Sequence, residues 1–355
     1  MHNGGETLDM EEVLYRRYIN ASRKSKGLRK PSVNDIFKRI AYLAPQDFII
    51  ENYRRPRPAV AFNPGAFLKG NELYLFPRFI FDYYKYTSSV GLAVVDIEQL
   101  FEGKLETPFK SRIILWPQNL WEFLGCEDAR ALSLGEQVLL LYTGKGLYRQ
   151  GDDLERRDVL GFAVYDRSWQ LQRRGYFAIS DGDTRYLPHT NKDSAFIEIR
   201  GNDASMLTRP EVKGRQVCWR GFAKMDALEI QLDGLEPVLF PEGWELKVGW
   251  STNVVKLSSN EYLVGWHGVL WEDYSYRNGL ALVDGQGDLL AVSNYLLAPK
   301  GINEEYGDRA LVIFGDGLVR YKEYLVWIGG VSDYAIGIFA VELEKALEKV
   351  RWLTG

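Results

Sequence analysis

The acidic pair Glu127-Asp128, the triplet Asn191-Lys192-Asp193 and the lone Asn63 each stand where a polar cluster runs into an apolar stretch. Arg78, Arg209 and His267 stand where other apolar stretches end. A carboxyl group can give or take a proton, and Arg, Lys and His side chains together can hold an anion. Gathered in one place, these residue types would join an acid to an anion site. They are far apart in sequence, so only a fold that brings many strand ends to one cavity could do it.

An internal repeat supplies such a fold. A small signature recurs five times, as Gly91-Leu92-Ala93, Gly161-Phe162-Ala163, Gly221-Phe222-Ala223, Gly279-Leu280-Ala281 and Gly337-Ile338-Phe339-Ala340. Upstream of each copy lies an apolar strand: Leu73 to Arg78, Val138 to Thr143, Ala204 to Arg209, Tyr262 to His267 and Tyr324 to Gly329. Further upstream each copy opens on a polar cluster, namely Asn63, Glu127-Asp128, Asn191-Lys192-Asp193, Thr252-Asn253 and Asp308. Three strands per unit recurring about every sixty residues point to radial repetition, because one unit buries too little alone. The expected fold is all-β, a five-bladed β-propeller over residues 58–355, with the opening clusters around a central funnel.

The first 57 residues read differently, as a short helical extension and linker. Met10, Val13, Leu14 and Tyr18 recur at helical spacing, and so do Ile36, Ile40 and Leu43. Ser32 before Asp35 resembles a capping box, so a second helix is expected from Ser32 to Tyr42. The basic run Arg23 to Lys30 reads as a solvated linker. The apolar stripe of the helices needs burial, either as a cap on the propeller or as an arm joining subunits, and a homo-oligomer is the preferred expectation.

Composition narrows the function. With 44 basic and 48 acidic residues the net charge is −4, without the positive field of a nucleic-acid binder. Two cysteines, Cys126 and Cys218, make neither a disulfide framework nor a thiolate zinc site. No apolar run is long enough to span a membrane. A soluble, cytoplasmic protein acting on a small polar substrate is expected, without metal or cofactor. Most of the abundant aromatic rings are read as sheet packing.

The segment Gly125-Cys126-Glu127-Asp128-Ala129-Arg130 resembles the Gly-Val-Glu-Asp-Pro-Arg hallmark of inverting β-mannoside phosphorylases and their hydrolytic relatives, glycoside hydrolase family 130. The resemblance extends to Asn63-Pro64-Gly65-Ala66, Phe76-Pro77-Arg78, Asn191-Lys192-Asp193, Leu207-Thr208-Arg209-Pro210, Trp266-His267-Gly268-Val269, Tyr276-Arg277-Asn278-Gly279 and Ser332-Asp333. It implies a five-bladed propeller in which Asp128 is the general acid, its proton relayed through a sugar hydroxyl. It further implies a phosphate pocket at Arg78, Lys192, His267 and Tyr276, with Arg174 as an addition, and α-mannose 1-phosphate as product. Asn63, Arg130 and Asp333 match positions near the mannosyl group, and Asp193 and Arg209 are grouped with them as substrate-binding.

Phosphorolysis suits these residue types. Phosphate is already an anionic nucleophile, so one acid and a basic pocket replace the two carboxylates of inverting hydrolysis. Glu127 competes with Asp128 for the acid's role, since neighbours on a strand face opposite ways. A β-mannosidase on the same scaffold is the alternative enzyme, with Asp193, Asp273 or Asp333 as second carboxylate; a non-catalytic mannoside-binding propeller is the alternative outside catalysis. Cys126 and Ala129 depart from the hallmark, and the aromatic tract Phe79 to Tyr86 leaves linkage and acceptor open.

Overall fold

The apolar segments beyond residue 58 fold as antiparallel strands grouped in five consecutive units, in a computed structural model that describes residues 9–23, 26–150 and 152–353. The first unit pairs Val60–Lys69, Glu72–Ile80, Ser88–Asp96 and Phe109–Leu115 in sequence order. The second pairs Gly125–Leu134, Gln137–Gln150, Asp153–Tyr165 and Leu171–Tyr176, and a parallel bridge from Ser88 to Gly125 merges the two into one sheet. The third has Asn191–Arg200, Asp203–Val212 and Cys218–Lys224 as its main strands. The fourth has Glu245–Trp250, Tyr262–Leu270, Tyr276–Val283 and Leu289–Val292, and the fifth Ile313–Tyr321, Tyr324–Val331 and Ala335–Glu342.

The repeated signature falls on the third of these strands in every unit. Its glycine has a packing reason. A Cβ at Gly91 would lie 2.1 Å from the Phe79 ring, and one at Gly161 2.6 Å from the ring of Tyr142. These two glycines thus leave room for an aromatic ring of the preceding strand. The four fully buried tryptophans, Trp219, Trp250, Trp266 and Trp327, likewise serve packing.

Five large apolar clusters fill the spaces between units. One joins the first unit to the second through Phe76, Leu92, Leu140 and Tyr165. Others join second to third (Leu141, Phe162, Phe196, Trp219), third to fourth (Leu207, Cys218, Trp250, Trp266) and fourth to fifth (Leu263, Leu280, Leu318, Trp327). The last joins the fifth back to the first through Ile328, Ile338, Leu75 and Phe79. Every unit therefore buries both of its faces against a neighbour.

The N-terminal region differs from expectation. Met10–Ser22 is a helix, begun by the Asp9 carboxylate accepting from Glu11 N. Its stripe, Met10 and Leu14, is buried in the cluster between the second and third units, and Arg17 donates to the carbonyl of Leu235 at 2.9 Å. The stripe finds its burial within the chain, so the need for burial no longer calls for a second subunit.

The segment expected as a second helix instead holds a strand, Lys38–Leu43, antiparallel to Ala335–Glu342. The fifth unit would otherwise end on an unpaired edge. A register slip between Arg39 and Ala41 inserts Ile40 as an extra residue, and that bulge mimics helical spacing. Asp35 does not cap a helix; it accepts from Arg39 at 2.6 Å. Phe48–Ile50 pairs with Phe109–Leu115, so residues 38–50 belong to the sheets rather than to an extension ending at 57. Arg29, expected in a solvated linker, is 3 % exposed and binds Glu245 at 2.7 and 2.8 Å. Among the described residues no helix is long and apolar enough to cross a membrane.

Candidate active site

The leading strands of four units slip register at corresponding places: between Phe62 and Gly65, Glu127 and Arg130, Lys192 and Ala195, and Gly315 and Gly317. A bulge releases a side chain from the ladder and re-aims it. The residues released are Asn63, Asp128, Asp193 and Asp316. The first three have φ of +44°, +50° and +53°, a left-handed conformation that short Asn and Asp side chains tolerate. In the fifth unit the sequence pointed to Asp308, whereas the bulged residue is Asp316.

Three of these bulges open on one cavity of about 250 Å3. It is lined by the expected Asn63, Arg78, Asp128, Lys192, Asp193, Arg209, His267, Tyr276 and Asp333. Glu127, Lys145, Lys247, Arg309, Val312 and Phe314 complete it. Lys247 and Arg309 escaped the sequence reading, the first inside a strand with no motif and the second in a loop. The lining carries six basic side chains, not counting histidine, against four carboxylates, which favours an anionic ligand.

The Asp128 carboxylate takes two donors on the same oxygen: Asn63 Nδ2 at 2.9 Å and Arg78 Nη1 at 3.2 Å, both to Oδ1. Oδ2 has no hydrogen-bond partner among the described residues. Arg78 also donates from Nη2 to Glu127 at 2.8 Å and from Nε to Ser88 at 2.8 Å. Arg78, expected among the phosphate ligands, thus lines the cavity in contact with both members of the acidic pair. Asp333 is held up at about 6 by burial, with Arg78 opposing and Asp128 adding to the rise.

A second group lies around Asp193. Arg209 Nη2 is 2.7 Å from Asp193 Oδ2, and both side chains are 3 % exposed. Burial acts to raise the Asp193 pKa, but Arg209 and then Arg130 outweigh it and bring it to about 2. These two residues buttress each other in the cavity wall, where both line the cavity. Lys192 donates to Asp158 at 3.1 Å, and that carboxylate keeps it cationic against the cost of burial. Lys247 is brought down to about 7 by burial and by the positive charge of Arg209.

His267 is 1 % exposed, and burial drives it well below its ordinary range, so it is neutral near pH 7. Its Nδ1 is 3.0 Å from Ser251 Oγ. Tyr276 stacks on the His267 ring at 5.4 Å, with Arg309 4.8 Å and Lys247 5.5 Å from its own ring centre.

Two expected site residues lie elsewhere. Arg174 sits on the outer strand of the second unit, where it binds Glu122 at 2.6 Å and the carbonyl of Trp116. It does not line the cavity. Arg130 is buried behind the wall, its donors taken by Asp128 O, Ser251 O, Asp193 and Asp316. The aromatic tract ends beside the cavity: Tyr86 faces Arg78 at 5.9 Å, and the Tyr83 hydroxyl is pushed up to about 12 by burial and by its hydrogen bond to Asp308. Among the described residues there is no group of three or more His, Cys, Asp or Glu placed to hold a metal ion.

A search of curated protein sequences finds no match. The chain is similar in fold to the β-1,2-mannobiose phosphorylase of Listeria innocua, at 17% identity and a TM-score of 0.65, over 86% of this chain and 96% of that one. A glycosyl hydrolase from Bacteroides ovatus aligns at 15% identity and a TM-score of 0.65, over 90% and 95% of the two chains. A structure described among glycoside hydrolases that target β-1,2-mannosidic linkages in Candida mannan aligns at 15% identity and 0.66, over 90% and 97%. The family model described as β-1,4-mannooligosaccharide phosphorylase matches residues 27–351, nearly the whole chain, and the chain therefore belongs to glycoside hydrolase family 130.

Proposed function

We propose that this protein is a β-mannoside phosphorylase built as a five-bladed β-propeller. The five strand units, with apolar clusters between successive neighbours and one from the fifth back to the first, support the propeller reading. The observation that carries the activity is the basic crowd of Lys192, Arg209, Lys247 and Arg309 in the same small cavity as Asp128. Hydrolysis has no use for so many cations, whereas phosphate needs its charge neutralised and its oxygens positioned.

In the proposed reaction a phosphate oxygen attacks the anomeric carbon of a β-mannoside from the face opposite the leaving group. The bond to the leaving oxygen breaks as the Asp128 carboxyl supplies a proton to it, relayed by a sugar hydroxyl. α-Mannose 1-phosphate and a free acceptor result, and Asp128 is left as the carboxylate that Asn63 and Arg78 stabilise. The reverse reaction restores the proton. Asp333 takes a sugar hydroxyl, and neutral His267 with Tyr276 forms the floor under the phosphate.

The test is to supply α-mannose 1-phosphate with a panel of sugar acceptors and follow phosphate release, then to supply β-mannobioses of different linkage with and without phosphate. Phosphate-dependent turnover in both directions is expected. Mannose released equally well without phosphate would make the protein a β-mannosidase, and no turnover of any mannoside would remove the enzyme reading.

A further inference from the structure

We infer that Asp316 is a positioning residue for the acid, acting through Arg130, whose guanidinium holds the backbone of Asp128 in the conformation that aims its carboxyl into the cavity. The inference rests on the reading of Asp128 as the general acid. It concerns a residue that touches neither cavity nor substrate.

Arg130 ties four units together with one side chain that is 3 % exposed. Nη1 donates to the carbonyl of Asp128 at 2.8 Å, and Nε donates to the carbonyl of Ser251 at 2.8 Å. Nη2 lies 2.7 Å from Asp316 Oδ1 and 3.5 Å from Asp193 Oδ1. The bond to Asp128 O matters most, because Asp128 has a φ of +50° and the acid's aim depends on keeping that conformation.

Asp316 is fully buried, and neither of its oxygens accepts a well-formed hydrogen bond among the described residues. A carboxyl so placed is costly unless a charge compensates it. Arg130 is the cation in contact with it. The flanking glycines explain how it gets there: a Cβ at Gly315 would lie 2.1 Å from the Trp327 ring, and one at Gly317 would lie 2.8 Å from Ala66. The strand is pressed against its neighbours on both sides of Asp316, and the bulge turns the acid inward onto Arg130.

The direction of failure follows from the loss of the Asp316 oxygen 2.7 Å from Nη2. Without Asp316, the remaining carboxylate near Nη2 is Asp193, whose other oxygen is already 2.7 Å from Arg209. The Arg130 guanidinium would lean toward Asp193 and loosen from the carbonyl of Asp128. Burial also pushes the Asp316 carboxyl well above its ordinary range, with Arg130 opposing, so a neutral oxygen acceptor suits this place and Asn is the conservative replacement.

The experiment compares Asp316→Leu and Asp316→Asn with wild type, on whichever glycoside the wild type turns over, with or without phosphate. Misplacing a catalytic group by a fraction of an ångström is expected to lower kcat by about tenfold or more in Asp316→Leu, with both KM values within about twofold. Asp316→Asn should stay within about threefold of wild-type kcat. The alkaline limb of the kcat–pH profile should move in Asp316→Leu and stay in place in Asp316→Asn. Should Asp316→Leu fail to fold, Asp316→Ser carries the same expectation. Wild-type kcat in the Leu or Ser variant, equal losses in Leu and Asn, or a loss confined to KM would overturn the inference. Phosphate-independent cleavage by the wild type would sink phosphorolysis and leave this inference standing, whereas full turnover in Asp128→Asn would remove it.

Discussion

Arg78 and Asp128 meet at 3.2 Å, and the oxygen they share, Oδ1, also accepts from Asn63 at 2.9 Å. One carboxylate oxygen is thereby anchored while the other is left to the cavity. An anchored oxygen and a free one are what a group needs if it must hold its place while giving up a proton.

Asp128→Asn keeps the shape and loses the proton. Turnover is expected to fall by about a thousandfold or more, with glycoside binding retained by calorimetry. Arg78→Met should also cut kcat, since it leaves Glu127 with Lys145 alone and Asp128 with Asn63 alone, and should change the phosphate KM less than Lys192→Ala does. A large phosphate KM effect with intact kcat in Arg78→Met would return this residue to the anion site.

Lys247 sets a pH dependence with a definite sign. Its folded pKa is about 7, below the ordinary 10.5, because burial and Arg209 disfavour its charge. Between those values the unfolded chain holds the extra proton, so this group's contribution to stability rises with pH and is lost as pH falls through 7. Anion binding has the opposite demand, since it needs the cation. Sulfate, which does not titrate here, should inhibit up to about tenfold more weakly at pH 8 than at pH 6, and Lys247→Met should flatten that change. A wild-type inhibition constant independent of pH would exclude Lys247 from the anion site.

Asp333 behaves in the other sense. Its folded pKa of about 6 lies above the ordinary 3.8, so the folded chain holds the proton longer. Stability from this group is complete at low pH and declines as pH rises through 6. The melting temperature of Asp333→Asn relative to wild type should therefore be higher at pH 7.5 than at pH 4.5, while its KM for glycoside rises. A difference in melting temperature that is the same at both pH values would contradict the buried-acid reading.

Arg174 separates structure from catalysis. It neutralises Glu122, which is 0 % exposed and also accepts from Tyr142 at 3.1 Å. Arg174→Met should destabilise the fold by about 3–5 kcal/mol in denaturant titration, the usual cost of stranding a buried charge, with the phosphate KM unchanged within about twofold. A selective rise in phosphate KM at full stability would restore its expected role.

The residues of the cavity were legible to different degrees. Asp128, Lys192 and His267 could be found because each ends or opens a strand in a repeated pattern, and a repeat of strands makes such ends converge. Lys247 and Arg309 could not, since nothing in a strand's alternation or a loop's composition says which neighbour it will face. Arg174, which the resemblance put in the phosphate pocket, lies on an outer strand away from the cavity, and a basic residue on an outer strand looks the same in sequence as one on an inner strand.

Chain chemistry alone settled the all-β character, the five signature copies and the identity of the acidic pair, because strand period and turn residues are local properties. Contacts between distant segments decided the rest. The strand at 38–43 replaced a helix because the fifth unit had an edge to fill, and a one-residue bulge hid the alternation that would have revealed it. Asp316 rather than Asp308 took the fifth bulged position because only there do Trp327 and Ala66 press the glycines on either side. Burial then made His267 neutral and lowered Lys247, since the dielectric around a side chain is a property of what packs against it and not of its neighbours in sequence.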